Sequence, residues 1–163
     1  MLSDFADLDK FFSKGKLPKN LDGFYRGKLV KMFPENAMES IANTIAKFWL
    51  PWYGKVFDNQ NKSGFNVMPA YLEGLVKSRY GNKVILGKSA LGLHVFPFRT
   101  IIAVGINSKV RILQLDYNQP ENPAKVRSVV DELVDTGEKK YLGKAYIKNK
   151  IDYRLIAYFN LEK

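Results

Sequence analysis

The sequence has 163 residues, no cysteine, one histidine and a formal net charge of +10. This length suits one domain, which buries roughly two-thirds of the surface that its unfolded chain exposes. Without cysteine, disulfides and thiolate metal sites are excluded, and a single histidine excludes a metal site of two histidines and a carboxylate as well as a bis-histidine haem.

The positive charge is concentrated in the middle third of the chain. Between residues 59 and 111, eight basic residues stand against one acid, Glu73. Such a bias is compatible with a nucleic acid or an anionic surface as partner. Because the basic residues are dispersed rather than contiguous, the sequence favours a solvated strand surface, and we expect weak, non-specific nucleic-acid binding at most.

The first sixteen residues carry acids where a signal peptide has a basic start followed by an apolar run. No stretch approaches the roughly 18 apolar residues of a membrane span. We therefore expect a soluble cytoplasmic protein, although removal of a leader would leave the same sequence.

The first half of the chain predicts two helices and three strands. Ser3 is suited to cap a helix that ends near Ser13, and residues 22–32 form an opening strand in which two glycines flank Tyr25. A second helix is predicted over about 35–49, followed by strands at 52–58 and 65–68. Residues 70–80 suit either a helix or two strands with a bend at Gly74.

From Lys83 onward the pattern is typical of β-structure. Short runs rich in β-branched and aromatic residues are separated by turn residues: KVILGK, GLHVFPF, RTIIAVGI, KVRILQLDY, KYLGKAYIK and DYRLIAYFNLE. The last two runs predict a hairpin around Asn149 and Lys150. Residues 122–137 fit a helix, with Asn122 as cap and Gly137 as stop, or an alternating strand.

Together these elements predict a mainly β (α+β) fold in one domain, 1–163. Residues 1–20 are a lead-in helix and turn, and residues 21–163 are an antiparallel barrel with the inserted helix at about 35–49. The late strands are expected to close on the opening strand around Tyr25. A barrel of about eight strands has an interior that side chains fill or that holds one small ligand.

Three fragments resemble the GXWXG domain of lipocalin-like bacterial proteins: GFYRG at 23–27, WYGKVFD at 52–58 and NVMP at 66–69. That family opens with a strand carrying Gly-x-Trp-x-Gly and later has a Trp-Tyr-Gly-Lys-x-Phe segment, so the match covers roughly residues 20–70. VDELVDTGEKKYLGKA at 130–145 is similar to the domain that often follows it. Tyr25 stands where the family has tryptophan. The resemblance implies a calycin-like barrel, with Tyr25 filling its closed end and a small apolar ligand inside.

No enzyme class is indicated. His94, the only histidine, lies among apolar residues, and no Gly-x-Ser-x-Gly elbow supplies a nucleophile for it. Phosphate-loop and dinucleotide glycine patterns are missing. Asp131 and Glu132 are adjacent, so in a strand they point to opposite faces and cannot form a carboxylate pair. We expect no catalytic residue, no cofactor and no metal.

The function predicted is binding of a small apolar or amphipathic molecule, including an anionic lipid-like one, inside the barrel. The candidate ligand-binding residues are Tyr25, Trp52, Lys55, Phe57, His94 and Arg127. A cation in an apolar interior must either meet an internal acid such as Asp131 or await an anionic head group. The alternatives are a nucleic-acid or anionic-surface binding module and a barrel enzyme acting on a lipid-like substrate.

Overall fold

A computed structural model of the protein describes residues 4–33 and 51–163. The described residues form nine antiparallel strands. Their bounds are β1 Gly23–Met32, β2 Gly54–Asp58, β3 Ser63–Met68, β4 Ile85–Ser89, β5 Gly92–Val104, β6 Arg111–Asp116, β7 Val129–Gly137, β8 Lys140–Lys148 and β9 Tyr153–Glu162. The helix predicted over about 35–49 lies outside the described residues.

Eight of these strands close into an antiparallel barrel, as predicted. Neighbouring strands follow the order β3-β2-β1-β9-β8-β7-β6-β5, and β3 pairs with β5 to complete the ring. The closing pair predicted around Tyr25 is β1 with β9, where Arg26 lies opposite Glu162. The short strand β4 extends the sheet by pairing with the first half of β5.

Two predicted strands, GLHVFPF and RTIIAVGI, form the single long strand β5. The strand bends where its register against β3 shifts, between the pairs Gly64–Phe98 and Asn66–Val95. This irregularity is a β-bulge: Phe96 has a φ of +54°, and the next residue, Pro97, has no N–H to give to a ladder. The bulge therefore allows one strand to continue around the curve of the barrel.

The two ambiguous segments are each resolved into a short turn followed by one element. Residues 70–80 form a 3₁₀ turn, Ala70–Leu72, and a helix α2, Glu73–Tyr80, which contains Gly74 without a bend into a strand. Residues 122–137 contain a 3₁₀ turn, Val126–Ser128, and then strand β7. A further 3₁₀ turn, Asn82–Val84, precedes β4.

The lead-in helix α1, Phe5–Phe12, has its N-cap one residue later than predicted. The N-cap residue is Asp4 rather than Ser3, because the Asp4 carboxylate accepts a hydrogen bond from the Phe5 N–H at 2.6 Å. Leu8 and Phe12 form the buried face of α1 and pack on the outside of the barrel against Ile112, Val134 and Leu142. The interior of the barrel holds the larger hydrophobic core.

Candidate functional site

A polar cluster lies inside the barrel, where three strands and one loop bring four side chains together. In the register of the first three strands, Tyr25 lies opposite Lys55, and Lys55 lies opposite Asn66. Asp131 comes from β7, and Tyr117 directly follows β6. All four polar residues are buried, and Lys55 and Asp131 are 0% exposed. We call Lys55, Asn66, Tyr117 and Asp131 the inner cluster.

The Lys55 ammonium is the centre of the inner cluster. Lys55 Nζ lies 3.0 Å from Asp131 Oδ2 and donates a hydrogen bond to Asn66 Oδ1 at 2.8 Å. It also contacts the hydroxyl of Tyr117. That hydroxyl donates to Asp131 Oδ2 at 3.1 Å and accepts from Asn66 Nδ2, also at 3.1 Å. Lys55 has therefore met the internal acid, the first of the two outcomes expected for an interior cation.

One oxygen of the inner cluster is left over. Asp131 Oδ1 is buried and has no hydrogen-bond partner among the described residues. A buried acceptor without a partner costs free energy, and such atoms are rare in folded proteins. The carboxylate can therefore accept one more hydrogen bond from a water or a ligand.

Aromatic rings surround the same ammonium. Lys55 Nζ lies 5.1 Å from the ring centroid of Trp52, 5.2 Å from those of Tyr117 and Phe159, and 5.6 Å from that of Phe98. Each ring presents a π system within the range of a cation–π interaction, which strengthens where water is excluded. The rings also exclude water from the ion pair.

Burial shifts the titration of the pair. Desolvation lowers the pKa of Lys55, and the nearby Asp131 carboxylate opposes this shift. Desolvation likewise raises the pKa of Asp131, and Lys55 opposes that shift. Burial and then the Asp131 charge raise the pKa of Tyr117 well above its ordinary value, so the phenol stays protonated. The free energy of the neutral form of the pair, an amine beside a carboxylic acid, is therefore closer to that of the ionised form than it would be in water.

Trp52 connects this cluster to the surface. Its indole lies against Gly27, where an added Cβ would collide with the ring, and it meets Phe159 edge-on with centroids 5.8 Å apart. Trp52 also lines a surface cavity of about 460 Å³ together with Tyr53, Phe24 and Leu91. Gly27, the second glycine of the Gly-x-Tyr-x-Gly motif, thus leaves the space that the Trp52 indole occupies. The indole lies between Lys55 and this cavity.

Tyr25 and Phe57 lie in the core, next to the inner cluster. The Tyr25 ring packs edge-on against Phe57 and Tyr141, with centroids 5.4 and 5.5 Å away. Its hydroxyl accepts a hydrogen bond from the Asp22 N–H at 3.4 Å. Tyr25 is therefore buried among aromatic side chains where the lead-in segment enters the barrel.

The structure does not bring His94 and Arg127 to the inner cluster. The half-buried His94 ring stacks on Phe65 at 4.4 Å, and its Nε2 lies 2.8 Å from the Ser89 hydroxyl. Arg127 is exposed in a 3₁₀ turn, where its Nε donates to Asn118 Oδ1 at 2.9 Å. Of the six candidate residues, Trp52 and Lys55 are in the inner cluster or its ring of aromatic side chains, and Tyr25 and Phe57 pack nearby.

Two members of the inner cluster, Asn66 and Tyr117, were not among the predicted residues. The signal for Asn66 is its position as a polar residue between Phe65 and Val67 in a short buried strand. Tyr117 ends the run KVRILQLDY, and its sequence context does not indicate which neighbour its hydroxyl meets.

A second buried charge cluster lies on the outer face of the barrel, beneath α1. Lys144 is 0% exposed; its ammonium bonds to Asp9 of α1 and lies 4.4 Å from the Phe12 ring centroid. The Tyr158 hydroxyl donates to the same Asp9 oxygen at 3.2 Å. Glu132, opposite Lys144 in the register, accepts a hydrogen bond from the Ile106 N–H. We call Asp9, Glu132, Lys144 and Tyr158 the outer cluster. Because Glu132 belongs to the outer cluster and Asp131 to the inner cluster, these two neighbours face opposite sides of the sheet, as predicted.

Within residues 4–33 and 51–163, no group of three histidine, cysteine, aspartate or glutamate side chains is placed to hold a metal ion. In the same ranges, no helix has the length and apolarity needed to cross a membrane.

Comparison with known proteins supports the fold and leaves the function open. No protein-family model matches the sequence, and no curated protein matches it. One solved structure is similar, described as the crystal structure of a protein from Thermomonospora curvata, with a TM-score of 0.55 and 17% sequence identity. The similarity covers 99% of this chain and 88% of that chain. At this identity the likeness concerns the fold alone, and it is consistent with a lipocalin-like barrel.

Proposed function

We propose that the protein binds a small apolar or amphipathic molecule inside the barrel and that the inner cluster recognises its polar end. The observation that carries this proposal is the ion pair of Lys55 and Asp131, fully buried among four aromatic rings. Replacing a buried ion pair by well-packed hydrophobic residues is often neutral or stabilises a protein by about 1–4 kcal/mol. A contribution to stability therefore gives little reason for the presence of this pair. Departures from an apolar core are expected at functional sites, which favours a role in ligand binding.

The charge balance of the inner cluster favours an uncharged polar group on the ligand. Asp131 already neutralises Lys55, so an anionic head group would have to compete with a carboxylate 3.0 Å from the ammonium. A hydroxyl group needs no such exchange, because it can donate to Asp131 Oδ1. A carbonyl oxygen would accept from Lys55 by taking the place of Asn66 or Tyr117, which are neutral partners, so no charge has to be displaced. An anionic lipid-like ligand is accordingly the less favoured version of this proposal.

Trp52 is the proposed entry point. Its side chain lines the surface cavity and is also one of the four aromatic side chains around the Lys55 ammonium. A rotation of the indole away from Gly27 would join the cavity to the inner cluster without breaking a strand pair. The resemblance of GFYRG and WYGKVFD to the GXWXG domain agrees with this role, since both motifs meet at the contact between Gly27 and Trp52.

The test is a displacement titration with the neutral fluorescent probe N-phenyl-1-naphthylamine, competed by octanol and by octanoate. The native protein is expected to bind the probe and to release it at a lower concentration of octanol than of octanoate. The double variant Lys55→Met/Asp131→Leu, which removes both charges together, should lose this preference. Arg127→Met is the matched control, because it removes a cation that is exposed on the surface.

The proposal fails if the native protein binds no probe, or if the double variant and the native protein prefer the same competitor to the same degree. Native mass spectrometry of the purified protein provides a second measurement, in which a co-purified small molecule would identify the natural ligand class.

A further inference from the structure

We propose that Lys55 forms a covalent imine with the carbonyl group of an aldehyde or ketone that enters the barrel. This inference rests on the proposed function and narrows its ligand to an apolar carbonyl compound. It depends on the placement of one amine, one carboxylate and one phenol within hydrogen-bond distance of each other in a water-poor interior.

The first requirement for an imine is an amine that can lose its proton. Asp131 Oδ2 is 3.0 Å from Lys55 Nζ, close enough to take the proton of the ammonium directly. Desolvation lowers the pKa of Lys55 and raises the pKa of Asp131, so burial favours this transfer from both sides. Buried lysines of this kind are the ones that serve as nucleophiles toward carbonyl groups.

The second requirement is a route for protons during addition and dehydration. The Lys55 lone pair attacks the carbonyl carbon, a C–N bond forms, and the carbonyl oxygen takes a proton to give a carbinolamine. The C–O bond then breaks and the oxygen leaves as water with a second proton, while the nitrogen electrons form the C=N bond. Amine and carbonyl thus give imine and water, with no oxidant or reductant. Asp131 can carry each proton, and the Tyr117 hydroxyl can donate to the oxygen when it turns away from Asp131 Oδ2, its acceptor in the unliganded cluster.

The third requirement is an environment that preserves the product. A protonated imine keeps a positive charge where the ammonium stood, so Asp131 remains its counterion and the rings of Trp52, Phe98 and Phe159 remain its π partners. Exclusion of water by the same rings slows hydrolysis of the C=N bond.

The outer cluster contains a useful comparison. Lys144 is as deeply buried as Lys55, but its carboxylate partner Asp9 is 53% exposed and its ammonium lies between α1 and the barrel wall rather than inside the barrel. A carbonyl compound in the interior would meet Lys55 and not Lys144. Lys144 is therefore the buried control for any lysine-labelling experiment, and Lys62 is an exposed control.

The experiment incubates the native protein with cinnamaldehyde and sodium cyanoborohydride, which reduces an imine to a stable secondary amine. Proteolysis and peptide mass spectrometry then give the labelling rate of each lysine. Lys55 is expected to be labelled at least several-fold faster than Lys62 and Lys144. A rate at Lys55 no higher than at the exposed Lys62 would overturn the inference.

Asp131→Asn tests the role of the carboxylate in proton transfer. Loss of the carboxylate removes an effect that raises the pKa of Lys55, which by itself favours the free amine. The amide can neither take nor return a proton during addition and dehydration, and because these transfers are required for the imine, labelling at Lys55 should still slow several-fold. Labelling at Lys62 should be unchanged in the same sample, which corrects for reagent and concentration. Unchanged labelling of Lys55 in a folded Asp131→Asn variant would contradict the proposed proton route.

Cinnamyl alcohol separates this inference from the proposed function, because it has the same ring and chain without the carbonyl group. If the alcohol displaces N-phenyl-1-naphthylamine while the aldehyde fails to label Lys55 selectively, the barrel binds ligands and the covalent step is wrong. If neither compound acts on the native protein, both proposals are wrong.

Discussion

The two buried lysines of this barrel differ in where their counterions lie. Lys55 and Asp131 are both 0% exposed, and both belong to the barrel itself. Lys144 is equally buried, but its partner Asp9 is 53% exposed and belongs to the helix that covers the barrel. Water can therefore solvate the charges of the outer cluster when its ion pair is broken. In the inner cluster both charged side chains are 0% exposed, so water does not reach them in the folded protein. Equal burial of two lysines does not mean equal dependence on their carboxylates.

The largest effect is expected from Asp131→Asn. This change leaves an ammonium without its carboxylate in the interior, and breaking a buried pair in this way typically costs about 3–5 kcal/mol. Urea unfolding followed by circular dichroism should show that loss in the free energy of unfolding. The double variant Lys55→Met/Asp131→Leu should recover most of it, since no charge is then left unpaired. A double variant as unstable as Asp131→Asn would mean that packing, not charge, governs the site.

A smaller effect is expected from the matched change in the outer cluster, Asp9→Asn. Its carboxylate accepts hydrogen bonds from Lys144 and Tyr158, but half of the side chain is exposed, so we expect a loss of about 1–2 kcal/mol. Sodium chloride at about 1 M should reduce the cost of Asp9→Asn and leave that of Asp131→Asn nearly unchanged, because salt screens exposed pairs more than buried ones. If salt changed the cost of both substitutions equally, the proposed difference between the inner and outer clusters would be wrong.

The smallest effect is expected from Glu132→Gln, and it depends on pH. Burial raises the pKa of Glu132, while the Ile106 N–H and the Lys144 charge oppose the shift and the Asp9 charge adds to it; the Tyr146 hydroxyl is also in contact. A raised pKa means that the folded protein holds this proton more tightly than the unfolded chain does. The contribution of Glu132 to stability is therefore fully present below the unfolded pKa of roughly 4.3 and is lost as pH rises through the folded value.

The glutamine variant has no such loss, so its free energy of unfolding relative to the native protein should increase as pH rises from 4 to 7. Urea midpoints for the two proteins across this range measure the difference, and Asp131, present in both, cancels. A difference that stays constant with pH, or that runs in the opposite direction, would show that Glu132 is not held in a desolvated position.

The sequence predicts the fold well because its main features are local. Alternation and turn residues place β6, β8 and β9 close to their observed ranges, and the closing contact with the opening strand is expected around Tyr25. Strand β7 lies in the segment 122–137, which fits a helix as well as a strand in the sequence. Strand β5 is a further exception, because Pro97 suggests a break. The chain instead continues through a bulge, and only the pairing with β3 and β6 determines that outcome.

The inner cluster was predictable only in part, since it depends on contacts across the barrel. A cation in an apolar interior needs a counterion, and this reasoning offers an internal acid such as Asp131 as one of two partners for Lys55, the other being an anionic head group. The stagger of the strands around the barrel cannot be deduced from the sequence, and this stagger places the Tyr117 hydroxyl beside Lys55 and Asp131. The position of His94, by contrast, follows from a local pattern: His94 lies between the buried residues Leu93 and Val95, so alternation along the strand turns its side chain to the opposite face.

The closure of the barrel also has a consequence for the rates of folding and unfolding. Strand β1 is completed by β9, from the opposite end of the described chain, so the interior does not exist until the most distant segments have paired. Such non-local pairing is slow because the entropy of closing a long loop is lost before the contacts form. We expect the Lys55 ammonium to stay hydrated until then, so that its ion pair forms in the last stage of assembly. Weakening the pair should therefore speed the opening of the barrel while leaving the rate of its formation almost unchanged.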